Sequence, residues 1–424
     1  MAIPHTTGGE ATGEAFFEGR RSYVQALENT VNNTGDNLIL ILGPRRIGKT
    51  SIVKQYFEER NAAEDDPGVY VYIYLPKIAN LVDFYKKSIE EIQESLKRNG
   101  KFKKFQDVAR LSRVKRAFAT FRNSIDEIKA AGYGIKVKDS DKWEEYTSLV
   151  ASLREEFISL ILTFEKEKVV LGFDEVPEAI QHLLKNENGR DEVELWLEHF
   201  REMRHNTQLK DIVTLILFGS VNMKLTLERI NQSKGVNDAY NITVEPLEIA
   251  DVKKLFWDLV DTLDYKILES NKEIVEPFLE KMFNYVSPWA IQNFLDQLEP
   301  PKEKNQIETE LKSAYYRLFD VVGGVRYLEE RLNEYYVEGE IIQLKAILKY
   351  LVEQHIDHGE EEIQDKELLD WSKKELLIDI EGYRHLIDIL LLDNMIYRSG
   401  NGYAIRNTVE RYYWYVRLVG PCDL

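Results

Sequence analysis

Residues 37–50 read Asn37-Leu38-Ile39-Leu40-Ile41-Leu42-Gly43-Pro44-Arg45-Arg46-Ile47-Gly48-Lys49-Thr50, a short apolar run that passes directly into a glycine-bounded loop. An unbroken Leu/Ile run suits a strand buried on both faces of a parallel sheet. The spacing G-x-x-x-x-G-K-T then lets main-chain amides wrap phosphate groups, while a lysine reaches the terminal phosphates and a hydroxyl binds magnesium. On this reading Gly43, Pro44, Arg45, Arg46, Ile47, Gly48, Lys49, Thr50 and Ser51 line a nucleoside triphosphate site, with Thr50 on the metal. The alternative is a Gly/Pro turn in an ordinary βα unit.

A second apolar run, Lys168-Val169-Val170-Leu171-Gly172-Phe173-Asp174-Glu175, ends in two carboxylates where a parallel strand delivers them to the carboxyl edge of a sheet. Asp174 is expected to hold magnesium, and Glu175 to polarise the attacking water. Without the loop, an apolar strand ending in Asp-Glu is a common feature. With the loop, it supplies the metal ligand that the phosphate site needs from a neighbouring strand.

The chain has 424 residues, enough for two or three domains with their own cores. A hydrophobic fraction of 44% and a charged fraction of 30% describe a globular protein. No apolar run approaches the ~20 residues that span a bilayer, so no membrane partner is expected. The start of the chain shows no basic segment followed by an apolar one. Cys422 is the single cysteine, which excludes an intramolecular disulfide or a cysteine-cluster metal site. The expected location is the cytoplasm.

The order of elements points to α/β architecture. Strands are expected at residues 38–42, 69–75, 169–173, 212–218 and 240–244, with helices between them, a pattern that produces a parallel sheet. Beyond Pro246 and Leu247 only helices are expected, at 252–263, 274–285, 290–298 and 307–319. From about Gly339 three more helices precede two short extended pieces joined by Ser399-Gly400-Asn401-Gly402, and three helices with a hairpin make a winged helix. The expected domains are therefore 1–247, with a basic helical insertion at about 97–140, then a helical lid at 248–338, then a winged helix at 339–424.

These segments resemble the archaeal-type ATPases of the STAND branch, P-loop proteins related to the AAA+ fold, over nearly the whole chain. Phe17-Glu18-Gly19-Arg20 is similar to the family's F-x-G-R box, Pro44 to Ser51 to its P-R-R-x-G-K-T-S loop, and Gly172-Phe173-Asp174-Glu175 to its hydrolysis motif. Leu217-Phe218-Gly219-Ser220 resembles its sensor strand, Val236-Asn237-Asp238 an N-D element, and Glu245-Pro246-Leu247 the hinge before the lid. The closing Val409-Glu410-Arg411-Tyr412-Tyr413-Trp414 resembles its terminal aromatic segment. The resemblance implies ATP and Mg2+ as cofactors and an ATP-hydrolysing switch. The lid motif G-G-x-P stands here as Tyr285-Val286-Ser287-Pro288-Trp289, keeping Pro288 as a nucleotide contact but not the glycines. Some relatives end in a nuclease-like domain; none is expected within these residues.

Three further candidates have bland readings beside the functional ones. Ser220, just after a buried strand, suits a sensor of the terminal phosphate or a strand-end turn. Arg201 and Arg204, late in a helix, suit arginine fingers acting on a neighbouring subunit or a solvated helix face. Arg45 and Arg46 suit phosphate, a partner or an acidic lid, or plain exposure.

Net charge is −17, which opposes general adhesion to nucleic acid. Residues 97–122 run the other way: Lys97, Arg98, Lys101, Lys103, Lys104, Arg110, Arg113, Lys115, Arg116 and Arg122 face only Asp107, a net of +9 that leaves −26 for the remainder. Phe102, Phe105, Val108, Leu111, Val114, Phe118 and Phe121 recur there at steps of three and four, an amphipathic pattern. Its occupant is DNA, this protein's own acidic surface, or solvent. Residues 340–424 carry ten basic and sixteen acidic side chains, so the winged helix is expected to meet protein rather than DNA. The leading expectation is a nucleotide switch whose output is homo-oligomerisation or a protein partner. The alternatives are a DNA-binding loader resembling origin-recognition initiators, and an idle scaffold that holds nucleotide only as a structural ligand.

Overall fold

A computed structural model describes residues 17, 19–33, 37–63, 65–75, 78–100, 116, 119, 140–164, 167–219, 223–230, 235–299, 301–320, 325–405 and 407–421. The chain divides into two units, one of Ser22–Arg45 with Lys49–Val244, the other of Met1–Arg21, Arg46–Gly48 and Glu245–Leu424.

The first unit is built on five parallel strands, β1 (Leu38–Leu42), β2 (Val69–Tyr74), β3 (Val169–Asp174), β4 (Val213–Phe218) and β5 (Tyr240–Thr243), in the order β2-β3-β4-β1-β5. Each lies within a residue of the strand expected from the sequence. β3 and β4 are buried along their whole length, as continuous Val/Leu/Ile/Phe runs demand when helices cover both faces. The helices are α1 (Arg21–Asn32), α2 (Lys49–Ala62), α3 (Leu81–Arg98), α4 (Ser140–Leu162), α5 (Val176–Leu183), α6 (Gly189–His205) and α7 (Met223–Arg229). On one side Phe84 of α3 meets Phe173 of β3 and Trp196 and Phe200 of α6, with ring centroids 5.1–5.8 Å apart. This aromatic layer fixes the strand that ends in Asp174.

Gly172 fixes the other side of β3. A Cβ there would lie 2.9 Å from Phe57 Cε2 and 3.2 Å from Val53 Cγ1, both on α2, so the missing side chain lets the helix that follows the loop press against the acid strand. Gly172→Ala is expected to lower stability by about 1–3 kcal/mol through overpacking, read as a lower urea midpoint at unchanged slope.

The second unit holds α8 (Ile249–Thr262), α9 (Lys266–Glu269), α10 (Lys272–Met282), α11 (Pro288–Gln297) and α12 (Ile307–Arg317) around Phe256, Phe278, Phe283, Phe294 and Tyr315. It continues through α13 (Tyr327–Tyr335), α14 (Glu338–Asp357), β6 (Ile363–Gln364), α15 (Asp365–Glu375), α16 (Ile380–Leu392), β7 (Tyr397–Ser399), β8 (Gly402–Ala404) and α17 (Thr408–Leu418). β6 and β7 both pair antiparallel with β8, so the expected two-stranded hairpin is a three-stranded sheet. Two residues of β6 give too short a pattern to read from sequence. The last helix turns back on the earlier ones: Thr408 Oγ1 donates to Met282 O at 2.8 Å and accepts from Asn284 N–H at 3.0 Å. Arg331 on α13 pairs with buried Asp393 after α16.

Candidate nucleotide site

β1 delivers the loop and α2 leaves it. Gly43 and Gly48 take φ of 137° and 102°, values that a side chain would strain, and α2 begins at Lys49 so that its first amides point back at the loop. Lys49 is 6% exposed, and its Nζ donates to Gly43 O at 2.8 Å and Pro44 O at 2.7 Å. Arg20, from the F-x-G-R box, reaches the same loop, its Nε donating to Ile47 O at 3.1 Å. Arg46 takes φ of 65° and places its guanidinium 4.2 Å from the Trp289 ring centroid and 5.8 Å from that of Tyr327, all within the second unit. A cation over two aromatic faces is attracted by their negative π-clouds. Arg45 is exposed, and Ser51 lies half-buried in the first turn of α2.

The acid strand is brought to the loop helix. Thr50 Oγ1 donates to Asp174 Oδ2 at 2.8 Å, although 124 residues separate them. Tyr72 Oη donates to the same oxygen at 2.8 Å, and the Glu175 amide donates to Oδ1 at 2.8 Å. Burial pushes the Asp174 carboxyl up to about 6, helped by the Glu175 charge and opposed by these three donors. Tyr72 was not legible as a site residue, because β2 reads as alternating Val and Tyr with no polar motif. One signal was available: in a parallel register Tyr72 precedes by two the residue paired with Asp174.

Glu175 caps the N-terminus of α5 with φ 59° and ψ 33°, a left-handed conformation unusual for a glutamate. The turn holds its carboxylate at the edge of the sheet, half-buried. Gly219, directly after β4, lies so close that a Cβ there would sit 3.2 Å from Glu175 Oε2 and 2.6 Å from Pro177 Cδ. Ser220 lies outside the described residues, as does most of the basic stretch 97–122. Tyr74, 44% exposed at the end of β2, feels the same acidic edge: burial and the Glu175, Glu178 and Asp174 charges raise its hydroxyl above the ordinary tyrosine value.

The arginine-finger expectation for Arg204 is corrected. Its side chain is 6% exposed, with Nη1 on Asp238 Oδ1 at 2.8 Å and Nη2 on Gly235 O at 3.0 Å. A guanidinium committed to its own chain does not project toward a neighbour. Burial would raise the Asp238 carboxyl, yet Arg204 holds it below the usual carboxylate range, so the pair clamps the N-D element to α6. Pro288 opens α11 at its first helical position, where a fixed φ is favourable.

No protein-family model and no curated protein matches the chain by sequence. Solved structures do match by fold. A Walker-type ATPase, PABY2304 of Pyrococcus abyssi, superposes with a TM-score of 0.61 at 17% identity, covering 96% of this chain and 98% of that one. The fold is that of a P-loop ATPase. More distant likenesses are the ORC2 protein of Aeropyrum pernix, with a TM-score of 0.46, 12% identity and 94% of each chain covered, and Cdc6p of Pyrobaculum aerophilum, with 0.36, 13% and 94% and 95%. Among the described residues no helix is long and apolar enough to cross a membrane.

Proposed function

We propose that the chain is an ATP-binding and ATP-hydrolysing switch of the STAND type, in which nucleotide state is coupled to rearrangement of a helical lid (248–338) and a winged helix (339–424) and to protein assembly. The hydrogen bond from Thr50 to Asp174 is the observation that carries this reading. It unites the last residue of the loop with the acid strand, and a half-buried hydroxyl beside a buried carboxylate gives a pair of oxygen donors that fits a hard divalent cation. Thr50 and Asp174 would hold Mg2+, which when bound neutralises charge on the phosphates. Lys49 binds the terminal phosphates in exchange for its two loop carbonyls. Gly43 to Gly48 supply amides. Glu175 accepts the proton of the attacking water, and Gly219 keeps space beside its carboxylate. Ser220 is assigned to sensing the terminal phosphate, and Pro288 to the lid's nucleotide contact.

Magnitudes suit a switch. A ligand at ~1,000 times its dissociation constant stabilises the state it binds by ~4 kcal/mol, close to the ~5.5 kcal/mol that takes an equilibrium from 1:99 to 99:1. Calorimetry with ATP and Mg2+, followed by phosphate release, tests the proposal. Saturable heat and slow release are expected; no heat with any triphosphate would overturn it.

Tyr72→Phe removes one of two hydroxyls on Asp174 Oδ2 and is expected to raise the magnesium concentration for half-maximal activity about tenfold, with kcat at saturating magnesium changed less. The check is a magnesium titration of phosphate release. The DNA-loader alternative gains no support from α16, where Glu381 and Asp388 stand exposed beside Arg384 and His385 and a phosphate backbone would be repelled.

A further inference from the structure

Lys54 lies one turn beyond Thr50 on α2, and residues four apart share a helix face. Its side chain is half-buried, and its ammonium sits 4.2 Å from the centroid of the Tyr72 ring. That ring carries the hydroxyl that donates to Asp174 Oδ2 at 2.8 Å, the oxygen that Thr50 Oγ1 also reaches at 2.8 Å. Within the first unit, α2 therefore grips one carboxylate oxygen twice, directly through Thr50 and one turn later through Lys54 and the phenol. The circuit closes because β3 carries no side chain at Gly172. Tyr72 pairs in register with Gly172, and the Tyr72 and Phe218 rings, from the strands on either side of β3, stand 6.4 Å apart. A Cβ at Gly172 would lie 2.9 Å from Phe57 and 3.2 Å from Val53, so the bare position also sets how near α2, and Lys54 with it, comes to the ring.

Three donors orient the Asp174 carboxylate, and they are not equally constrained. The Glu175 amide on Oδ1 is main chain, and the Thr50 hydroxyl sits on a short side chain in the first turn of a helix. The Tyr72 hydroxyl ends a long side chain that starts on another strand, and it meets Oδ2 in only part of its rotational range. A cation on the ring is attracted by the π-cloud and restricts that range. A lysine ammonium is strongly hydrated and its stem is long enough to carry it to open water, so a half-buried seat on an aromatic face constrains both partners. The geometry points to Lys54 as a positioning residue for the proposed magnesium site: it seats the Tyr72 ring so that the phenol holds the Asp174 carboxylate in the orientation that a hard cation with strict ligand geometry needs. The inference rests on the nucleotide reading, which gives Asp174 its task.

The test is calorimetric titration of ADP into the full chain at a series of magnesium concentrations, which reads the metal dependence of binding without turnover, alongside magnesium-dependent phosphate release. Lys54→Met keeps the apolar stem and removes the charge. It is expected to raise the magnesium concentration at half effect about threefold in both measurements, with kcat falling less. Lys54→Arg keeps a cation able to stack on the ring and is expected to restore the magnesium response to the parent value. Tyr72→Phe keeps the ring but lacks the hydroxyl, so adding Lys54→Met to it is expected to shift the magnesium response no further. That cycle separates a residue acting through Tyr72 from a charge acting on the pocket by itself. A magnesium response indifferent to Lys54→Met, a loss that Lys54→Arg does not restore, or an equal loss in the Tyr72→Phe background would overturn the inference. The parent chain keeps the two readings apart: no heat there with any nucleotide removes the nucleotide site itself, whereas parent heat whose magnesium dependence survives Lys54→Met removes only the role of Lys54.

Discussion

Glu175→Gln is expected to bind ATP with Mg2+ within about threefold of the parent chain and to release phosphate ~10²- to 10⁴-fold more slowly, the range for loss of a general base. The substitution is close to isosteric and leaves the backbone its left-handed turn at φ 59°, so the α5 N-terminus keeps its geometry. What changes is proton affinity: an amide oxygen does not take the proton of the attacking water. The loss of charge acts on the neighbour as well, since the Glu175 carboxylate is one of the influences that raise Asp174, and its removal eases ionisation of that carboxyl. Binding therefore survives while turnover falls. Calorimetry and single-turnover phosphate release, measured on the same preparation, separate the two effects. Turnover equal to the parent chain would remove Glu175 from the reaction.

Lys49→Ala is expected to weaken ATP binding more than ~100-fold, from the loss of charge-assisted hydrogen bonds worth about 1.5–3 kcal/mol each. The amine is 6% exposed and donates to Gly43 O and Pro44 O at 2.8 and 2.7 Å. Truncation removes a bridge between α2 and the entry to the loop as well as a contact to phosphate, so a control is required. The melting temperature without nucleotide is expected to move by only a few degrees, because the released carbonyls lie in a half-buried loop open to water. The ATP-induced rise in melting temperature should vanish. A rise equal to that of the parent chain would place the phosphates elsewhere.

The sheet was readable because β1, β3 and β4 are apolar runs that end at a polar or glycine residue, and β2 is a β-favouring Val/Ile/Tyr run bounded by Pro67-Gly68 and Pro76. Leu38 to Leu42 and Val169 to Phe173 have no competing helical period, and their partners in space follow from the α/β alternation. The meeting of Thr50 and Asp174 was readable for a different reason: a loop ending in Lys-Thr asks for an acid at a neighbouring strand tip, and the run ending in Asp174-Glu175 offers a pair of them. Tyr72 stayed hidden because its role depends on register across two strands, which local pattern does not encode. Arg204 misled because position late in a helix says nothing about direction. Only tertiary packing showed that its guanidinium turns inward to Asp238. β6 escaped for the same reason, since a two-residue ladder leaves no trace in periodicity. Ser220 and most of residues 97–122 fall outside the described residues, so their assignments rest on sequence alone.

Gly219 has a consequence for how the edge of the sheet tolerates change. β4 lies between the loop strand and the acid strand, and its tip bears no side chain where the Glu175 carboxylate comes within 3.2 Å of the point a methyl would occupy. The smallest possible substitution there would push on the Glu175 carboxylate and on the Pro177 ring near the start of the next helix. Alignment at this sheet edge is guarded by an empty place, so drift at Gly219 is expected to be punished as severely as drift in the neighbouring acids.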